Sequence, residues 1–128
     1  MFAQYLTIIL VNTYSWFGGQ GYCSYEFAVH ESEFEYSDVA IVMRPKFDPG
    51  NTASGNTVLD DQVLAIEHIG GARADWAQSG RIETDCNVTG FDIVRATGVE
   101  NGATVDLLAA NRVTIETYTP LPVTVNGR

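Results

Sequence analysis

The chain has 128 residues, 16 of them acidic and 7 basic, for a formal net charge of −9 at pH 7. A surface of that sign repels phosphate backbones and anionic lipid, which sets nucleic acid and membrane aside as partners. At 45% apolar residues the length suits a single globular domain that buries roughly two-thirds of its unfolded surface.

The first 21 residues carry no charged side chain. Leu6-Thr7-Ile8-Ile9-Leu10-Val11 is an apolar run too short to cross a bilayer as a helix. Gly18-Gly19-Gln20-Gly21 then offers the small residues that a signal peptidase accepts, with a cut before Tyr22. Residues 1–21 accordingly read as a secretory signal peptide and 22–128 as the domain, although no Lys or Arg precedes the apolar run. The alternative is a genuine first strand over Tyr5–Asn12. Cys23 and Cys86 are the two cysteines. Such a pair predicts one structural disulfide in an oxidising compartment, extracellular or periplasmic. Two buried free thiols are the competing reading. No Cys-x-x-Cys pattern points to zinc, and no cofactor is expected.

Ser24–His30 alternates, with Tyr25, Phe27 and Val29 on one face, as a half-buried strand does. With no proline or lysine, it reads as an edge open to pairing with a second copy. Phe34–Met43 is the next strand. Its burial candidates Phe34, Tyr36, Val39, Ile41 and Met43 share a face only if the chain bulges near Ser37-Asp38. Arg44-Pro45 should end it, because proline cannot donate to a ladder. Lys46–Asn56 is the longest loop, of a length often functional or mobile, and a possible hinge for exchange between copies. Its Asp48, Asn51 and Asn56, with Asp60 and Asp61, are oxygen donors of the kind calcium takes, but simple turn chemistry explains the same residues.

Thr57–Leu59 and Val63–Ile69 read as a strand pair or one interrupted strand, and Ala72–Gly80, with Trp76, as a short helical turn or loop. Arg81–Cys86 alternates, with Ile82, Thr84 and Cys86 inward and Arg81, Glu83 and Asp85 outward. Asn87-Val88-Thr89 is a turn and also a glycosylation sequon, meaningful only in a eukaryotic secretory host. Phe91–Val99 and Thr104–Leu108 flank Asn101-Gly102, the strongest short hairpin signal in the chain, since a type I′ turn needs positive φ at both central residues. Arg112–Tyr118 and Val123–Val125 follow. Pro120 and Pro122 confine the last strand to an edge or bulge. Turn signals at this spacing predict an all-β antiparallel β-sandwich of fibronectin type III or immunoglobulin type, with about seven strands.

Gly71-Ala72-Arg73-Ala74-Asp75-Trp76 with Gly80-Arg81-Ile82-Glu83, and Val105-Asp106-Leu107-Leu108 through Tyr118-Thr119-Pro120-Leu121, resemble the interleukin receptor mimic protein A (IrmA) family. The resemblance covers the region from about Tyr22 onward. It implies a small secreted fibronectin III-like protein, a domain-swapped homodimer, a role in virulence, and binding to a host cytokine or receptor. It carries no binding residue across.

No nucleophile elbow, HExxH or phosphate-binding glycine loop is present. His30-Glu31 and Glu67-His68 are neighbours whose side chains point to opposite faces of a strand, so neither is a local dyad. Asp60-Asp61 and Glu33/Glu35 are acid pairs of the sort glycosidases use, at a frequency chance supplies in so acidic a chain. The expectation is a non-enzymatic module that binds a protein ligand. The alternatives are a pilus-like assembly subunit that adds strands between copies, and a calcium-dependent carbohydrate-binding module.

Overall fold

The computed structural model describes residues 6–15, 21–30, 35–70, 77–117 and 121–126. Nine strands lie among them: β1 (Leu6–Ser15), β2 (Tyr22–His30), β3 (Glu35–Lys46), β4 (Gln62–Gly70), β5 (Ala77–Asp85), β6 (Gly90–Glu100), β7 (Ala103–Asp106), β8 (Val113–Thr117) and β9 (Val123–Val125). None of the described residues is helical. One sheet runs β5-β2-β1-β8. The other runs β4-β3-β6-β7, with β9 also on β6. The division of β5-β2-β1 from β4-β3-β6-β7 is that of a fibronectin type III-like sandwich. Pairing is antiparallel except where β8 joins β1 and β9 joins β6. β7 meets β6 along 97–100 and β9 meets it along 91–93, in tandem on one margin.

Alternation builds the core. Cys23, Tyr25, Phe27 and Val29 of β2 point inward, as do Ile41 and Met43 of β3 and Leu64 and Ile66 of β4. Phe91 is the hub: Tyr25 and Phe27 both meet it edge-on, at centroid distances of 5.0 and 5.5 Å. That geometry sets positive ring edges against a negative ring face. The bulge expected near Ser37-Asp38 is present. Asp38 has φ +48°, the pairing with β6 slips between Ser37 and Ala40, and Tyr36 and Val39 are both buried. A second slip, opposite Val42/Met43, inserts Val94 in β6 and turns Ile93 and Ala96 to the same side. The two slips compensate, so both strands keep an apolar face toward the other sheet.

Four expectations change. β3 runs through Pro45 to Lys46, because β4 pairs with β3 only as far as Met43↔Gln62 and Pro45 faces β6 alone. Thr57–Leu59 is not a strand, and it belongs to a connection over 47–61. Ala77–Gly80 is the start of β5 rather than a helical turn, drawn into the sheet by pairing with Phe27–His30; the rest of the predicted turn, Trp76 included, lies outside the described residues. β2 is not an edge, since it is paired on both sides, with β1 and β5. The stretch assigned to a cleaved leader supplies β1, and Tyr5, where the alternative strand would start, lies outside the described residues. A cut before Tyr22 would remove the strand through which β8 joins its sheet. The amino-terminal residue of the exported protein, read by mass spectrometry, distinguishes cleavage from a retained β1.

Asn101 and Gly102 have φ of +51° and +79° between Glu100 and Ala103, as a type I′ turn demands. A Cβ on Gly102 would meet nothing within 4 Å, so any cost of substitution there is conformational. Gly102→Val should therefore destabilise by more than ~1 kcal/mol, and Gly102→Asn by clearly less. Urea midpoints measure both, and equal effects would mean that backbone conformation is not the cause.

Candidate functional site

Three connections converge at one end of the sandwich: Gly21 leading into β2, the 47–61 loop, and the 86–89 turn after β5. Cys23 and Cys86 are joined there by a disulfide, with Cα atoms 4.9 Å apart and 63 residues of separation. In the chain-entropy picture such a closure contributes roughly 4 kcal/mol. The Cys86 amide donates to the Gly21 carbonyl at 2.9 Å. Gly21 itself has φ +80°, and a Cβ on it would stand 2.5 Å from the Ala53 carbonyl carbon. Only glycine fits, because the loop backbone occupies that space.

Asp85 holds the loop from the other side. Strand alternation points it outward, yet it is fully buried, because Ala53 and Ser54 lie over it. One carboxylate oxygen accepts the amides of Ala53 (2.9 Å) and Asn87 (2.8 Å). The other accepts the amide (2.8 Å) and hydroxyl (2.5 Å) of Ser54. Burial pushes the carboxyl up, but the hydrogen bonds from Ser54, Ala53 and Asn87 outweigh it and hold the group below its ordinary value. The main-chain carbonyl of Asp85 accepts the Tyr25 hydroxyl at 2.7 Å. Burial, with the Asp85 charge adding to it, pushes that phenol up to about 12.

Smaller contacts complete the loop. Thr52 Oγ1 donates to the Asn56 carbonyl at 2.8 Å, Asn56 Nδ2 to the Tyr22 hydroxyl at 2.8 Å, and Asn87 Nδ2 to the Asn51 carbonyl at 2.9 Å. The Thr89 amide bonds the Lys46 carbonyl at 2.7 Å. Tyr22, 36% exposed, and Val58, 74% exposed, belong to this end. A frame of Asn, Gly, Ser and Thr around exposed Tyr and Val has the composition of a recognition loop: adaptable polar groups beside rigid or apolar anchors.

The structure separates most of the residues that the sequence offers for chemistry. Asp61 forms a two-pronged pair with Arg44 at 3.0 and 3.1 Å, and Asp48 accepts the Gly50 amide at 3.2 Å in a local turn. Asn56 is engaged with Tyr22. Of the possible calcium donors, Asp48 and Asp61 are thus engaged in a turn and with Arg44, and among the described residues no three His, Cys, Asp or Glu gather as a metal site. His68 meets Glu35 across the strands at 3.2 Å, not its neighbour Glu67. Glu33 lies outside the described residues. Asp85 is the residue that pattern reasoning missed. The signal available was its position just before Cys86, where a strand end is covered by whatever the cysteine bridges.

Fold and site together define a small disulfide-linked sandwich with one ordered loop end. The chain belongs to the family of interleukin receptor mimic protein A, IrmA, which matches residues 8–114. It is similar to the solved structure of IrmA from Escherichia coli, with a TM-score of 0.67 and 25% identity over 95% of this chain and 99% of that one. No curated protein matches it.

The depressed Asp85 pKa fixes a pH dependence. Near pH 3–4 the unfolded chain binds more protons than the folded one, so stability rises with pH. The contribution is complete above the ordinary carboxylate value of about 3.9 and is lost as pH falls through the folded value. Asp85→Asn should lower stability at pH 7 by about 2 kcal/mol, the scale of hydrogen bonds lost to a charged acceptor. It should also flatten the acid limb of a thermal-melt series between about pH 2 and 5. An unaltered acid limb would show that Asp85 is not the group responsible.

Proposed function

We propose that this protein is an exported, non-enzymatic binding module that engages a protein ligand of the cytokine class through the loop end formed by Tyr22 and 47–61. The observation that carries the reading is the Asp85 cage. Ordering a long loop before any partner arrives lowers the entropy cost of association, which is what a recognition surface gains from being prebuilt. Tyr22, its hydroxyl accepting from Asn56, and the exposed Val58 are the anchors. The family name supplies the class of ligand. The bridge favours an extracellular or periplasmic site of action.

The test is a panel of recombinant interleukins titrated over the immobilised, oxidised protein. Binding of at least one member is expected. Val58→Asp and Tyr22→Ala should each weaken it tenfold or more, about the effect of truncating an interface anchor. A panel with no binder rejects the cytokine reading, and binding indifferent to both substitutions moves the surface elsewhere.

Self-association is proposed alongside. Among the described residues β4, Gln62–Gly70, is an edge strand, and it has neither proline nor lysine to discourage pairing with a second copy. Sedimentation at micromolar concentration in physiological salt should show a dimer, and a lone 14.0 kDa species would reject it.

A further inference from the structure

We infer that the Cys23–Cys86 bridge is a redox latch on the 47–61 loop: the loop keeps its conformation while the bridge is intact and is released, with the sandwich still folded, when the bridge is reduced. The importance of the latch rests on the loop end being the recognition surface, but its operation does not.

The bridge is placed for this role. β2 and β5 are already paired from Tyr22↔Asp85 to His30↔Ala77, so the sulfurs bring no new neighbours into the sheet. They sit where that pairing ends and the loop contacts begin. Ala53 and Ser54 are held between two jaws, the Gly21 backbone on one side and the Asp85 carboxylate on the other. The bridge ties Cys23, two residues from the first jaw, to Cys86, one residue from the second. Without it, the jaws are left to the terminal Tyr22↔Asp85 pair of the ladder and to the hydrogen bond from the Cys86 amide to Gly21, at a strand end of the kind that frays. The Phe27–Phe91 contact at the centre of the core lies four residues further along β2 than Cys23.

Cys86 is only partly buried, which gives a reductant access that Cys23, at 5% exposure, does not. The chemistry is thiol–disulfide exchange. A thiolate of an external dithiol attacks the Cys86 sulfur, the bridge opens through a mixed disulfide, and the second thiol of the reagent closes on the first. Two electrons and two protons pass to the protein as two thiols, and the dithiol becomes its own disulfide. The consequence is a loop ordered in oxidising compartments and loosened in reducing ones.

Backbone 15N relaxation on the full chain tests this with dithiothreitol as the reductant and oxidised Asp85→Asn as the second arm. In the oxidised protein, Ala53 and Ser54 should have order parameters near the rigid value of about 0.85. On reduction they should fall below about 0.6, while Ile41 and Phe91 stay rigid. Asp85→Asn should loosen the same two residues with the bridge intact. The latch is overturned if Ala53 and Ser54 stay rigid on reduction, if Ile41 and Phe91 loosen with them, or if Asp85→Asn leaves the loop rigid. A loop that is released on reduction in a protein that binds no interleukin upholds the latch and rejects the functional reading, so the two fail separately.

Discussion

A carboxylate removed from water is tolerable only when its oxygens are fully engaged, and Asp85 meets that condition with four hydrogen bonds. The requirement acts in both directions. The charge needs the amides of Ala53, Ser54 and Asn87, and those amides need an acceptor once the loop covers them. The loop therefore cannot drift without exposing a cost on both partners. Gly21 makes the arrangement sterically possible, since any side chain there would displace Ala53. The disulfide holds the two strand ends that carry Gly21 and Asp85 in register. Loop, carboxylate, glycine and bridge form a single mechanical unit, and the proposed recognition surface is its outer skin.

The rest of the sandwich supplies a rigid base for that unit. Tyr25 links them directly: its ring packs on Phe91 in the core, and its hydroxyl reaches the Asp85 carbonyl at the rim. The bulges at Asp38 and Val94 let β3 and β6 remain apolar-in along their whole length despite irregular sequence spacing. At the opposite end, Arg112 donates to the buried Tyr36 hydroxyl at 2.8 Å and lies 3.4 Å from Glu100, fastening the chain after β7 to β3 and β6. Polar anchors thus close both ends of an aromatic and aliphatic middle.

Local physics made much of the fold legible. Alternation in Tyr25, Phe27 and Val29 located β2, the spacing of Tyr36 and Val39 required the bulge that Asp38 provides, and Asn101-Gly102 specified its turn by φ alone. What pattern could not supply was the third dimension. Whether Pro45 ends a strand depends on how far the neighbouring strand extends. Whether β2 is an edge depends on β1 lying beside it. Asp85 sits at an outward position of β5 and becomes buried only because residues more than thirty positions earlier fold over it. Charged residues in alternating strands default to solvent, and no local rule announces the exception. The site was legible to the extent of the cysteine pair and the long loop, but not the carboxylate that joins them.

The parallel pairing of Leu6–Leu10 with Val113–Thr117 bears on how the molecule is made. These segments are separated by almost the entire chain, so the sheet that contains them has a contact order set by the domain's full length. Local hairpins such as β6–β7 can form from neighbours in sequence, whereas β1 must wait for β8 to leave the ribosome. Until then β1 offers one unpaired margin. The β5-β2-β1-β8 sheet is thus completed only once the carboxy-terminal part of the chain is free to reach β1.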